Sequence, residues 1–586
     1  MSTQCRFLNK QINEKTWFFT NEVFNEILFK SMDFIVIKRQ GRDVEVKIKT
    51  PLLIGIGVII IVLILVVTLL PNLTQKPTPQ RILVYAYNDK ITGIDPSIED
   101  DTGLVVLGSI YETLTYYDYK TGEVKPRLAV NWSSNEDGTE WIFHLRQGVV
   151  FHDGTPFNAT AVKLSIERAR DIYRETGRGM GYIWDAVEEI EVIDEYTIKF
   201  KLSYPQRLDL LASASYSAYI FSPSVLEKAG VDNYMDRALE EWFNNGNAIG
   251  SGPYKLVSYD PQKEVKLEKF KEWWGWSIIK NDNAPDVVII KVVVDPSAQY
   301  NGLLSGEVDI ACSVPRETIK SLLDRGYKVI NLSTYHNFVL FFNTKRYPTN
   351  ITEFRLAIAH AIDLNRVVLE ALLGIGRVAS GVVPHGFPGH IEGLTYEYNL
   401  DKAREILAKS GVSTPIKIEL LYQVDYEETR AFATIFKTIM AELGIEVELN
   451  PQDWARLKDI AKGVWENPEE TPHLIIADWW PTIPSPFDFL YTMFHSESKE
   501  WNFAGFENPE FDELIEEAWL TEGVDYRKAI ELYKEAQLIL YNEVVAIGLW
   551  DEIRPYVYST RVYIPEDALN PLYTFVIRFE LVEVRS

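Results

Sequence analysis

Cysteine, histidine and positive charge are all in short supply in this chain. Only Cys5 and Cys312 occur among its 586 residues. They leave no disulfide framework, no C-x-x-C pair and no zinc-ligand spacing, so stability has to come from packing. The eight histidines are scattered. His385 and His390 flank a Pro/Gly loop and could ligate a metal, but neither a metal nor a cofactor is expected. Lys and Arg number 59 against 84 Asp and Glu, a net charge of −25. That balance excludes a nucleic-acid partner, which needs clustered Lys and Arg to meet phosphates. The chain also lacks G-x-x-x-x-G-K-[ST], H-E-x-x-H and G-x-S-x-G, so NTPase, zincin and α/β-hydrolase readings have no anchor. Gly374-Ile-Gly376-Arg-Val-Ala379 imitates a dinucleotide fingerprint, but it follows a helical pattern and opens none. Carboxylates are plentiful, yet no spacing selects a glycosidase pair. No enzyme is expected.

Apolar and aromatic residues are abundant, at 46% and 13%. A chain this long exceeds one compact core, so at least two lobes are expected. One segment is not globular. Leu52–Leu70 is 19 residues of Leu, Ile and Val broken only by Gly55, Gly57 and Thr68. It is long enough to span a bilayer core of about 30 Å. Its sixteen aliphatic residues give an insertion free energy of roughly −5 to −10 kcal/mol. Lys38, Arg39, Arg42, Lys47 and Lys49 precede it, which keeps residues 1–51 cytoplasmic and the body outside. A cleaved leader is the alternative, but the run is long for one and has no small-x-small exit. No cysteine follows that could carry a bacterial-type lipid. Residues 71–81 form a polar, Pro-containing linker. Residues 1–31 match no pattern, leaving Met1 and Met32 as alternative starts. Sequons at Asn72, Asn131, Asn158, Asn331 and Asn350 permit glycosylation outside the cell.

The most informative stretch is Lys125–Arg168. Asp137-Gly138 reads as a turn. Trp141, Phe143 and Leu145 then fall on one face at strand period. Gln147-Gly148 and Asp153-Gly154 bracket a short run, Val149–Phe151. Asn158 caps an amphipathic helix through Ala161, Val162, Leu164 and Ile166. In this order and spacing the stretch resembles the signature of extracellular solute-binding proteins of the peptide/nickel class, which serve ATP-driven (ABC) importers. Further blocks are similar to that family in the same order: Ile249-Gly-Ser-Gly-Pro-Tyr-Lys-Leu256, Gly306-Glu-Val-Asp-Ile310, Phe341-Phe-Asn-Thr344 followed by Arg355–Asp363, and Asn508-Pro-Glu-Phe-Asp-Glu-Leu514.

The resemblance implies an α/β, two-lobed, Venus-flytrap-like periplasmic-binding-protein fold with an inserted subdomain. Carried over, lobe I comprises 82–111, 249–333 and 545–586, the insertion is 112–248, and lobe II is 334–544. Hinge strands are expected near Tyr335–Asn343 and Val544–Asp551. It also implies an oligopeptide ligand, permease and ATPase partners, and a monomer. Oligosaccharide is the close alternative; a metal chelate or a secreted hydrolase is more distant.

Ala477–Phe489 (ADWWPTIPSPFDF) pairs tandem Trp with three prolines, a poor helix and a poor central strand. It reads as a rigid loop presenting Trp479 and Trp480. The segment resembles the family's W-x-x-D-x-x-x-P ligand loop, with Trp479 and Pro486 on the tryptophan and proline. Thr482 replaces the acid that grips a peptide's α-amino group, leaving Asp478 as a possible substitute. Trp501, Asn502 and Trp550 fall in neighbouring cleft or hinge segments of the family. Tyr335, Asn337 and Phe341, on the first expected hinge segment, complete the candidate ligand-binding set.

Overall fold

The computed structural model describes residues 80–585 and the backbone of an N-terminal hairpin pairing Ile35–Arg39 with Arg42–Val46. The expected anchor at 52–70 and its linker up to residue 79 lie outside the described residues. Among the described residues, no helix is long and apolar enough to cross a membrane. Arg81–Ser586 is a compact unit of its own.

The Lys125–Arg168 pattern folds as its periodicity predicts. Glu140–Leu145 is a strand that buries Trp141, Phe143 and Leu145. The turn glycines Gly138 and Gly148 take φ of 71° and 75°, in the left-handed region that glycine enters without steric cost. Asn158 caps the helix Ala159–Thr176 by accepting the Ala161 N–H at 3.2 Å. The run Val149–Phe151 differs: it makes only an isolated bridge, Val150 to Pro156, because the turn at Asp153-Gly154 folds it back on itself. The antiparallel sheet Ala129–Ser134, Glu140–Leu145, Thr197–Leu202, Val187–Asp194 lies within the 112–248 segment.

A larger sheet organises the rest. Its order is Tyr254–Asp260, Glu264–Lys269, Val287–Val292, Ile82–Tyr87, Ile310–Ala311, Ala546–Tyr558, Lys328–Phe342, Leu474–Trp479, Ile416–Gln423 and Ile445–Gln452. Val287–Val292 runs parallel to Ile82–Tyr87, as its buried-strand character suggests. The two central strands are the longest, at 13 and 15 residues. Lys328–Ser333 pairs with Ile553–Tyr558, and Asn337–Phe341 pairs with Ala546–Asp551. Between these blocks the register breaks at Thr334–His336.

Successive side chains on a strand point to opposite faces, and here they feed separate cores. Phe338, Leu340 and Phe342 join Phe432 and Trp550 in one. Val339 and Phe341 join Phe494, Phe503 and Tyr556 in the other. Helices Leu400–Lys409, Glu427–Ala441 and Pro509–Glu522 are separate elements in the C-terminal half of the chain.

Candidate functional site

The strand Leu474–Trp479 ends where Pro481 and Pro484 make further pairing impossible. A helix then starts at Pro486, in the first-turn position that tolerates a missing N–H. Ser485 caps it, accepting the Phe487 N–H at 3.2 Å. The loop between is therefore short, and distant parts of the chain hold it. The Thr482 N–H donates to the Asp488 carboxylate. The Thr482 carbonyl accepts from the Tyr573 hydroxyl at 2.7 Å, and that hydroxyl accepts the Ser215 N–H at 3.0 Å. Tyr182 donates to Asp488 at 3.3 Å. Residues from 182–215, the C-terminus and 474–494 thus converge on one loop.

The indoles extend this site. Trp479 is half-buried and meets Trp501 edge-on at 5.3 Å, and Trp501 stacks on Trp454 at 6.3 Å. The Lys458 ammonium lies 4.8 Å above the Trp501 ring, a cation–π placement. Trp480 is half-buried against His336 and approaches the buried Tyr216 hydroxyl. Two buried polar atoms here make no hydrogen bond: the Trp479 indole N–H and the Tyr216 hydroxyl. The Trp479 N–H lies near the Asp488 carboxylate without an aligned bond to it. Burial pushes the Asp488 pKa up to about 7, against the opposing pull of the Thr482 N–H. Glu522, beneath Ser485, is likewise pushed up to about 7 by burial.

Several expected ligand contacts have other duties. Asp478 is not free to replace the missing acid, since its carboxylate pairs with the His336 Nε2 at 2.7 Å and accepts from Tyr426 at 3.3 Å. Trp550 has no exposure and stacks on Phe338 at 4.8 Å, inside a core. Asn502 is buried and its amide clamps a turn, donating to the carbonyls of Phe494, His495 and Phe506. Phe341 packs between Phe494 and Phe503. Asn337 donates to the Val382 carbonyl at 2.6 Å, and Tyr335 lies edge-on against Phe387. The structure therefore brings together Trp479, Trp480, Thr482 and Trp501, and not the other six. Asp478 was assigned as a substitute for the missing acid; the other five were assigned by segment, and segment does not determine which face a side chain takes.

Sequence reasoning passed over Asp488, Tyr182, Tyr216 and Tyr573. Asp488 had a readable signal, as an acidic residue between Phe487 and Phe489 in an apolar run. The tyrosines carry no local signal, because only the tertiary fold delivers them.

Beside the loop, the register break of the central strands holds a buried ionic chain. His336 bridges Asp478 and Glu552, the latter at 3.3 Å, and Arg554 pairs with Glu552 at 3.0 Å. Burial opposes charging His336, yet hydrogen bonds to Asp478 and Glu552 raise its pKa to about 9. Burial would also raise Glu552, but Arg554 and His336 hold it well below the usual carboxylate range.

The sequence model for bacterial extracellular solute-binding proteins, family 5, middle, matches residues 123–501. The chain is 27% identical over 473 residues to the probable D,D-dipeptide-binding periplasmic protein DdpA of Escherichia coli (strain K12), across 78% of this chain and 86% of that protein. It is 24% identical over 496 residues to the dipeptide-binding protein of the same organism, across 80% and 88%. The solved structure of the periplasmic binding protein DppA from Helicobacter pylori with the peptide STSA matches with a TM-score of 0.70 at 23% identity, covering 86% of this chain and 99% of that one. CtaP from Listeria monocytogenes matches with a TM-score of 0.76 at 19% identity, covering 87% and 100%. These structures share the two-lobed, periplasmic-binding-protein-like α/β fold. With the family model covering most of its length, this chain belongs to the bacterial extracellular solute-binding proteins of family 5.

Proposed function

We propose that the protein is the membrane-anchored, extracytoplasmic substrate-binding protein of an ABC importer, closing two lobes over an oligopeptide. The observation that carries this reading is the loop at Thr482. Its backbone is held directly by Asp488 and Tyr573, which are in turn bonded by Tyr182 and Ser215, while the Trp479 N–H and Tyr216 hydroxyl beside it are buried and unpaired. Buried polar groups are ordinarily satisfied, and a peptide backbone offers both donors and acceptors. Relatives named for D,D-dipeptides, dipeptides and glutathione support the same ligand class. We take 82–111, 249–333 and 545–586 as lobe I, 112–248 as its insertion and 334–544 as lobe II. Closure then turns about the break at Thr334–His336, a population shift driven by contacts made only when shut.

Thr482 offers no charge to an α-ammonium, and Asp488 already accepts from Thr482 and Tyr182. Free and N-acetylated forms of one peptide should therefore bind alike, within about 1 kcal/mol, the value of one neutral hydrogen bond. Calorimetry with such a pair tests this, and a hundredfold preference for the free amine would refute it. A cello- or manno-oligomer is the second reading, favoured by the half-buried faces of Trp479 and Trp480. It prevails if a cello-oligomer binds and neither peptide does. Anchoring rests on Leu52–Leu70 and the basic residues before it. Full-length protein should sediment with membranes and resist high salt. A mature N-terminus between residues 71 and 81 would replace the anchor with a cleaved leader.

A further inference from the structure

A second cluster of functional side chains lies on the loop that follows Val383. Gly386 and Gly389 there adopt left-handed φ of 80° and 75°, which fold the chain sharply enough to bring His385, His390 and Glu392 together. The imidazole rings are 4.4 Å apart between centroids. The Glu392 Oε2 lies 3.2 Å from the His390 Nε2 and 3.5 Å from the His385 Nε2. Two ligands bound at about 2.0–2.1 Å with a tetrahedral angle between them stand about 3.3 Å apart. Both measured separations are close to that value.

The other ring nitrogens determine what this space attracts. The His390 Nδ1 lies 2.8 Å from the Val383 carbonyl, which can only accept, so Nδ1 carries the proton. The His385 Nδ1 lies 2.6 Å from the Asp551 carboxylate, which also accepts the His385 backbone N–H at 2.9 Å. In their neutral forms, both rings therefore aim an Nε2 lone pair at the Glu392 carboxylate. Three acceptors facing one another repel unless a proton or a metal cation lies between them. The second ring nitrogen of a metal-bound histidine is typically held by just such a carboxylate or backbone carbonyl.

We propose that His385, His390 and Glu392 form a binding site for a borderline-soft divalent transition metal of the zinc type. Asp551 and the Val383 carbonyl fix the two rings, and solvent completes the coordination on the Glu392 side, where that side chain is 76% exposed. Two imidazole nitrogens make the site poor for Mg²⁺ or Ca²⁺, which prefer oxygen ligands. Because Asp551 belongs to the central strand Ala546–Tyr558, a bound ion would clip the 384–392 loop to that strand.

The test uses the purified full-length chain, stripped with EDTA and dialysed against micromolar Zn²⁺, with metal counted by atomic emission and affinity read by a competing chromophoric chelator. The expected result is one Zn²⁺ per chain, no competition from Mg²⁺ or Ca²⁺, and X-ray absorption reporting two imidazole nitrogens at about 2.0–2.1 Å. H385A/H390A should abolish binding. D551N should weaken it about 10–100-fold, as loss of a ring-orienting carboxylate does. E392Q alters an exposed side chain that leaves the fold intact, which circular dichroism verifies, and should weaken binding at least tenfold. Less than a tenth of an equivalent bound at tens of micromolar Zn²⁺, or E392Q and H385A/H390A binding as wild type does, would overturn the assignment.

Discussion

Replacing Asp488 by asparagine keeps the shape of a buried side chain and removes its charge. The carboxyl is 3% exposed, and burial lifts its pKa to about 7 in the folded protein. An unfolded aspartate titrates near 3.9. A carboxyl with a raised folded pKa binds more protons folded than unfolded, so stability falls as pH rises from about 4 to about 7 and stays low above that. For this shift the loss is about 1.5 kcal/mol at pH 5 and about 4 kcal/mol at pH 8, taking 1.36 kcal/mol per unit. Aspartate and asparagine variants should therefore diverge by roughly 2–3 kcal/mol between those two pH values. Asparagine can still accept the Thr482 N–H, so the loop should survive. Urea unfolding of both proteins at pH 5, 6, 7 and 8 measures the divergence, and Glu522 and Glu99, also pushed up by burial, cancel in the difference. A stability gap that stays constant within about 0.5 kcal/mol across that range would show that Asp488 titrates normally and that the argument from burial is mistaken.

Three other perturbations follow from the same geometry. His336 is raised to about 9, so the stability it contributes is present below its unfolded value near 6.5 and is lost as pH rises through 9. H336Q should flatten the fall in urea midpoint between pH 7 and 10, and an unchanged profile would discount the ionic chain. W550A removes a fully buried indole stacked on Phe338 and should cost about 3–5 kcal/mol of stability; a cost below 1 kcal/mol, measured by chemical denaturation, would return Trp550 to the ligand-facing set. W479A should weaken ligand binding by about 1–3 kcal/mol, as loss of a buried aromatic anchor does, and calorimetry showing no change would remove Trp479 from the site.

Much of the architecture is legible without coordinates because its cues are local. Asn158, Gly138 and the alternation of Trp141, Phe143 and Leu145 each specify their own few residues, and each appears as read. The family likeness supplied the two-lobed layout, which composition could not. The site was legible only in part. Trp479, Trp480 and Thr482 share a proline-punctuated string, so the sequence locates the loop. Which face a strand residue takes depends on register, and the shifts at Ser333/Asn337 and Phe338/Val339 are invisible in sequence. That is why Trp550, Phe341 and Asn337 turn inward. Tyr182 and Tyr216 are delivered from more than 260 residues away along the chain and Tyr573 from 91, and no window of sequence connects them to Thr482.

The two central strands also constrain the order in which the chain can fold. Lys328–Phe342 finds its main partner in Ala546–Tyr558, about two hundred residues later and close to the C-terminus. Ile82–Tyr87 likewise waits for Val287–Val292. Closing such loops costs chain entropy before any contact repays it, which makes folding slow. Until Tyr558 is available, the middle of the sheet is an open edge lined by Phe338, Leu340 and Phe342, able to pair with any exposed strand. A chain emerging N-terminus first therefore cannot complete its sheet early. It needs protection from aggregation until then.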